Sequence, residues 1–322
     1  MLPNFSYVSP KNLRDAIQHL SADGARIHAG GTDLLGCLRD HVFGAARLVS
    51  IGRVDELRGV RETADGGLRI GAMTSIAEIA GHPLIKERFT ALAQAAAEVG
   101  SPQLRNQGTI GGNICQKPRC WYYRGEFHCL RKGGDKCYAV AGENRYHCIL
   151  GGDRCYIVHP SDTAPALAVF GASVRTAGPG GGRSIRIEDF HVPPSQDPRR
   201  ETVLQQGEIV TEIILPPAVE TKSSYRKVRE RGSWDFALAG VAIAIKFTDD
   251  KPLNPRVVLS GAAPVPWRSR EAEEVIANSP IDQATARKAA ESAMKKAVPL
   301  EQNGYKVALF RGLIEEQLLA LR

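Results

Sequence analysis

Six of the seven cysteines in this 322-residue chain fall between Cys115 and Cys155. A stretch so rich in thiols and so poor in large aliphatic residues builds no ordinary core of its own. It needs cross-links, a metal or neighbours to lean on. From Cys120, the gaps to Cys129, Cys137, Cys148 and Cys155 hold eight, seven, ten and six residues. No Cys-x-x-Cys occurs, which disfavours a small structural zinc site, and the closely spaced ferredoxin run is absent too. Disulfides need an oxidising compartment. Met1–Ser9 lacks the basic start and apolar run of a secretory signal, so the expected location is the cytoplasm, or the periplasm if a signal-bearing partner exports the folded chain. Four thiolates around iron carry negative charge. The segment answers with a surplus of four positive charges, Lys117, Arg119, Arg124 and Arg131 among its basic residues. On this chemistry a 4Fe-4S cluster and a zinc ion both stay open.

The rest of the chain is ordinarily globular, with 43% hydrophobic and 24% charged residues. Its length calls for two or three packed subdomains. No run of apolar residues is long enough to span a membrane. The net charge of +7 is dispersed outside the cysteine segment, which argues against nucleic acid as a partner.

The pattern along the chain alternates strands and helices. Phe5–Val8, Ala25–Ala29 and Arg47–Ile51 read as strands, separated by helices at Asn12–Leu20 and Leu34–Arg39. This first subdomain covers residues 1–59. A second, residues 60–217, holds a helix at Leu84–Val99, a turn-rich loop at Ser101–Asn113, the cysteine segment at about 115–155, and a helix at Thr163–Phe170. Pro216-Pro217 marks a boundary. Residues 218–322 read as three antiparallel strands and then helices, a sheet with a helical layer.

Two glycine pairs carry the binding signal. Ala29-Gly30-Gly31-Thr32-Asp33-Leu34-Leu35 lies between a strand and a helix, where glycines let backbone approach a ligand closely. It is neither the nicotinamide fingerprint nor a phosphate-binding P-loop. A tight turn capped by Thr32 or Asp33 is the bland alternative. Thr109-Ile110-Gly111-Gly112-Asn113 is a second such loop. Two loops of this kind can converge on one pyrophosphate. His28 and His159 are read as strand-end and turn residues, and no catalytic triad or carboxylate pair can be argued from spacing.

These segments, together with Ser161-Asp162, the Tyr225-Arg226-Lys227-Val228-Arg229 strand and Asp235-Phe236-Ala237-Leu238, resemble the FAD-binding subunits of the xanthine dehydrogenase and aldehyde oxidoreductase family. The resemblance covers essentially the whole chain. It implies an α+β fold, with a two-part FAD-binding unit of the vanillyl-alcohol oxidase type and a C-terminal three-stranded sheet under helices. It implies that Ala29, Gly30, Gly31, Thr32, Asp33, Leu34, Thr109, Gly111, Gly112 and Asn113 contact FAD, that Asp162 holds the ribityl or ribose region, and that Lys227 lies near the isoalloxazine.

A minority of that family, periplasmic aldehyde oxidoreductases and 4-hydroxybenzoyl-CoA reductases, carries an insertion here with a 4Fe-4S cluster. Pro118-Arg119-Cys120 and Arg154-Cys155 resemble its two ends. The implied ligands are Cys120, Cys129, Cys137 and Cys155, leaving Cys37, Cys115 and Cys148 as packed thiols. The implied assembly adds a large molybdopterin subunit, a small subunit with two 2Fe-2S clusters, and an external electron acceptor. An aldehyde oxidoreductase is the first expectation for the complex. A 4-hydroxybenzoyl-CoA reductase, or another aromatic or N-heterocycle hydroxylase, is the second. A zinc-stabilised binding module without flavin stands as the alternative of another class.

Overall fold

The structure is a computed structural model that describes residues 1–248, 251–277 and 279–322. Three sheets follow one another. The first contains β1 (Ser6–Val8), β2 (Ala25–His28) and β3 (Arg47–Ser50), ordered β1-β3-β2 and wholly parallel. Parallel neighbours need crossovers, and the helices Leu13–Leu20 and Leu34–Arg39 supply them. Asn12 caps the first of these by accepting the Asp15 amide at 2.9 Å. The loop Ala29–Asp33 leaves the carboxyl end of β2, the end at which parallel sheets hold ligands.

The second sheet is antiparallel. It contains β4 (Val60–Glu62), β5 (Leu68–Gly71), β6 (Ser173–Gly178), β7 (Gly181–Arg186) and β8 (Ile209–Leu215), ordered β4-β5-β8-β6-β7. Its apolar side packs on helices that include Ile76–Gly81, Thr90–Ala97 and Thr163–Val169. The expected single helix over 84–99 is instead Pro83–Arg88 and Thr90–Ala97, broken at Phe89. Phe89 leaves helical geometry (φ −128°, ψ 49°) and is fully buried against Phe170. The expected loop over 101–113 holds two short helices, Pro102–Gln107 and Ile110–Ile114.

The third sheet contains β9 (Thr221–Val228), β10 (Ala239–Thr248), β11 (Lys251–Ser260) and β12 (Trp267–Arg268). It has four strands rather than the three expected, because β12 is too short to show alternation. Ala239 to Ile245 of β10 are all buried. Side chains alternate across a strand. Ala242 and Ala244 therefore enter the core of the second unit, while Val241, Ile243 and Ile245 enter the core formed with Arg270–Ile276, Gln283–Met294 and Tyr305–Leu321.

The cysteine segment has little regular structure, with one short helix at Trp121–Arg124 and two 3-10 turns. It leans on the C-terminal unit. Asn303 Nδ2 donates to the His147 and Cys148 carbonyls at 3.1 Å each, and the buried Lys306 Nζ donates to the Tyr146 carbonyl at 3.2 Å as well as to that of Gly261 of its own unit at 2.9 Å. Burial pushes the Lys306 ammonium down to about 8.

Candidate functional site

The two glycine loops meet in a cleft of about 710 Å³. A side chain at Gly30 would place its Cβ 1.9 Å from the Gln107 carbonyl oxygen, so only glycine lets the first loop touch the chain leading into the second. Gly31 takes φ +73°. Thr109 is extended, and its Oγ1 accepts the Gly112 amide at 3.2 Å. Gly111 donates its amide to the Ala72 carbonyl at 2.9 Å. Asn113 is buried, and its Oδ1 accepts from both Ser161 Oγ and Thr163 Oγ1 at 2.6 Å. That fastens the second loop to the helix Thr163–Val169.

Ala29, Gly30, Gly31, Thr32, Asp33, Leu34, Thr109, Gly111, Gly112, Asn113 and Asp162 all line this cleft. Lys227 does not. On β9, Tyr225 and Lys227 sit two residues apart and share the face toward the second unit. Tyr225 Oη donates to Asp162 Oδ1 at 2.7 Å, and Lys227 Nζ donates to Asp162 Oδ2 at 2.8 Å and to the Glu98 carbonyl at 3.2 Å. Burial pushes the Asp162 carboxyl up, and Lys227 opposes that rise. The lysine thus stands behind Asp162, and its charge reaches the cleft through that carboxylate.

Asp33 is the N-cap of its helix but makes no side-chain capping bond. Its oxygens accept the Lys117 amide at 2.7 Å and Arg124 Nη2 at 2.7 Å, and Arg119 Nη2 forms an ion pair with Oδ1 at 3.0 Å. Trp234, Asp235 and Phe236 also line the cleft. The Arg119 guanidinium lies 4.9 Å from the centre of the Phe236 ring. Its Nε is buried without a partner among the described residues.

Beside the cleft, the thiols of Cys120, Cys129, Cys137 and Cys155 share one neighbourhood. Cys120 and Cys129 belong to one hydrophobic cluster with Tyr123 and Tyr138, and Cys137 and Cys155 lie close enough for each thiol to shift the other. Among the described residues they are not drawn in to the spacing of ligands around a single ion. Nearby backbone N–H groups favour the thiolate at Cys120, Cys137 and Cys155, and also at Cys148. The neighbouring Cys155 and those N–H groups hold the Cys137 thiol below its ordinary range. Burial, with a smaller push from Glu201, raises Cys115 to about 12. Cys148 also rises to about 12, by burial.

The positive surplus of this segment is largely engaged elsewhere. Lys117 and Arg131 both pair with Glu201, Arg119 and Arg124 with Asp33, and Arg145 with Glu230. Arg131 still has Nε and Nη1 unpartnered and lies against Cys155. The pattern of charges in the sequence does not reveal these pairings. Nor does it reveal His147, whose Nε2 lies 3.3 Å from Cys120 Sγ, or His191, packed 4.2 Å from His159 behind the second glycine loop. His159 itself is buried and accepts the Ser161 amide at 3.4 Å.

Residues 3–218 match the family described as "FAD binding domain in molybdopterin dehydrogenase", and residues 223–320 match "CO dehydrogenase flavoprotein C-terminal domain". The chain belongs to the FAD-binding subunits of the molybdenum hydroxylases. It is 34% identical over 303 residues to the aldehyde oxidoreductase FAD-binding subunit PaoB of Escherichia coli, covering 93% of this chain and 92% of that one. It is 27% identical to a putative xanthine dehydrogenase FAD-binding subunit of the same organism, over 91% of this chain and 86% of the relative. A solved carbon monoxide dehydrogenase from Hydrogenophaga pseudoflava superposes with a TM-score of 0.77 at 26% identity, covering 100% of this chain and 98% of that one. Quinoline 2-oxidoreductase from Pseudomonas putida shares the fold, with a TM-score of 0.78 at 22% identity and coverage of 100% and 98%. The cleft of this FAD-binding subunit suits its cofactor, since two glycine loops in contact form one continuous cradle of dinucleotide scale.

Proposed function

We propose that this FAD-binding subunit serves an aldehyde oxidoreductase, taking electrons from the two 2Fe-2S clusters of a small subunit and delivering them through FAD to an external acceptor. A large molybdopterin subunit oxidises the substrate. The similarity to PaoB supports this choice over a hydroxylase of aromatic rings. We assign flavin contact to Ala29, Gly30, Gly31, Thr32, Asp33, Leu34, Thr109, Gly111, Gly112, Asn113 and Asp162, with Lys227 acting through Asp162. FAD supplies a centre that exchanges one or two electrons. The chain's own work is to hold and orient it. Gly30 and Gly31 let the backbone approach the pyrophosphate, Asp162 holds the ribityl or ribose region, and Trp234 and Phe236 add aromatic wall to the cleft.

The same reading gives the chain a 4Fe-4S cluster on Cys120, Cys129, Cys137 and Cys155. What supports it is position: Cys120 and Cys129 belong to one hydrophobic cluster with Tyr123 and Tyr138, and Cys137 and Cys155 lie close enough for each thiol to shift the other. N–H bonds to sulfur stabilise thiolates and tune cluster potential. An anaerobic absorption spectrum of the purified complex, with iron, sulfide and released flavin measured for this subunit, tests both halves. Flavin with about four irons assigned to this chain supports the reading. Flavin with no iron here would remove the cluster and keep the flavin. Zinc without flavin would overturn both.

A further inference from the structure

We infer that Asp33 couples the flavin cleft to the cysteine cluster, so that each cofactor strengthens the binding of the other. The inference rests on the cofactor reading above. Asp33 belongs to the first glycine loop and lines the cleft. Its three partners, the Lys117 amide and the Arg124 guanidinium as donors and the Arg119 guanidinium as an ion pair, all come from the chain on either side of Cys120. Arg124 also closes this segment on itself. Its Nε donates to the Pro118 carbonyl at 2.8 Å, and its own amide donates to the Cys120 carbonyl at 2.9 Å. Cys120 is thereby bracketed by the groups that hold Asp33.

The sign follows from charge. A carboxylate in a loop that cradles a diphosphate repels it. Two guanidiniums at hydrogen-bond distance cancel that repulsion, but only while the segment around Cys120 is in place. That segment has a single helix of four residues to order it, Trp121–Arg124. A cluster ligated by Cys120 fixes it. Without the cluster the guanidiniums are free to leave, and Asp33 faces the diphosphate uncompensated. Linkage makes the effect mutual, because whatever cluster loading contributes to flavin affinity, flavin returns to the cluster.

The test compares the whole complex in four forms: unaltered, Cys129→Ala, Asp33→Asn, and the double variant. Cys129 does not line the cleft. FAD affinity is measured by equilibrium dialysis against free FAD, with iron determined on the same samples. Cys129→Ala should lose the iron of this subunit and bind FAD at least about fivefold more weakly, the lower end of ordinary coupling. In the Asp33→Asn background, losing Cys129 should leave FAD affinity unchanged. Iron loss at full FAD affinity would overturn the coupling, as would an undiminished effect of Cys129→Ala in the Asp33→Asn background. An unaltered complex that lacks this iron or the flavin refutes the cofactor reading instead. If Cys129→Ala does not fold, Arg124→Gln decides. It keeps every thiol, and should lower both FAD affinity and iron uptake on anaerobic reconstitution with ferrous iron and sulfide. Unchanged iron uptake would overturn the coupling.

Discussion

Lys227 and Asp162 form an ion pair at 2.8 Å with side chains only 1% and 5% exposed, one on the C-terminal sheet and one beside the flavin cleft. Breaking such a pair from one side strands a buried charge, at a cost of about 3–5 kcal/mol. Lys227→Met should therefore destabilise the subunit strongly in urea unfolding. The double variant Lys227→Met with Asp162→Asn should recover much of the loss, since no lone charge is left. A double variant as unstable as the sum of its parts would count against the pair.

Glycine variants separate fold from binding. Gly30→Ala drives a methyl into the Gln107 carbonyl and should lose both structure and flavin. At Gly112 an added Cβ meets only Thr109 Oγ1, at 3.1 Å, and the residue lines the cleft. Gly112→Ala should keep the melting temperature near that of the unaltered protein while weakening FAD, read by flavin fluorescence. Equal FAD affinity would place the dinucleotide elsewhere in the cleft.

The buried histidines predict acid lability. Burial holds His191 down at about 4 and His159 well below its ordinary value of 6.5. The folded chain leaves both neutral where the unfolded chain binds protons. Stability is then complete above about pH 6.5 and falls as pH drops toward about 4, by on the order of 3 kcal/mol for His191 alone. Melting temperatures across that window should show the loss, and His191→Gln should reduce it, leaving the part that His159 contributes.

Sulfur chemistry gives a fourth test. Cys115→Ala and Cys148→Ala should keep the iron, since neither thiol belongs to the proposed ligand set. Cys148→Ala should cost stability, because its side chain is fully buried. Cys137→Ala should lose iron. Iron content after anaerobic purification reads all three, and iron loss in Cys148→Ala with retention in Cys137→Ala would redraw the ligand set.

Much of the architecture was legible because its signals are local. The strand and helix periods, the proline pair and the glycine loops located the sheets and the cleft. What was missed depended on distance in the chain. Nothing around Asp33 announces that its partners lie more than eighty residues on; an N-cap role was the local expectation, and two guanidiniums displaced it. Lys227 was expected near the flavin ring, but its partner Asp162 comes from another unit. The eight basic residues of the cysteine segment suggested counter-charge for a cluster, yet five of them find carboxylates outside it. The break at Phe89 escaped notice because the flanking sequence stays helical and only its burial against Phe170 bends the chain.

From Ala239 to Ile245, strand β10 has no face left for solvent, since its alternate residues belong to different cores. Two units that share a strand have no hinge between them. The flavin wall set by Asp162 and the sheet that carries Lys227 must move as one piece. The position of Asp162 on the cleft wall is therefore set once, when the C-terminal sheet that carries Lys227 folds against it.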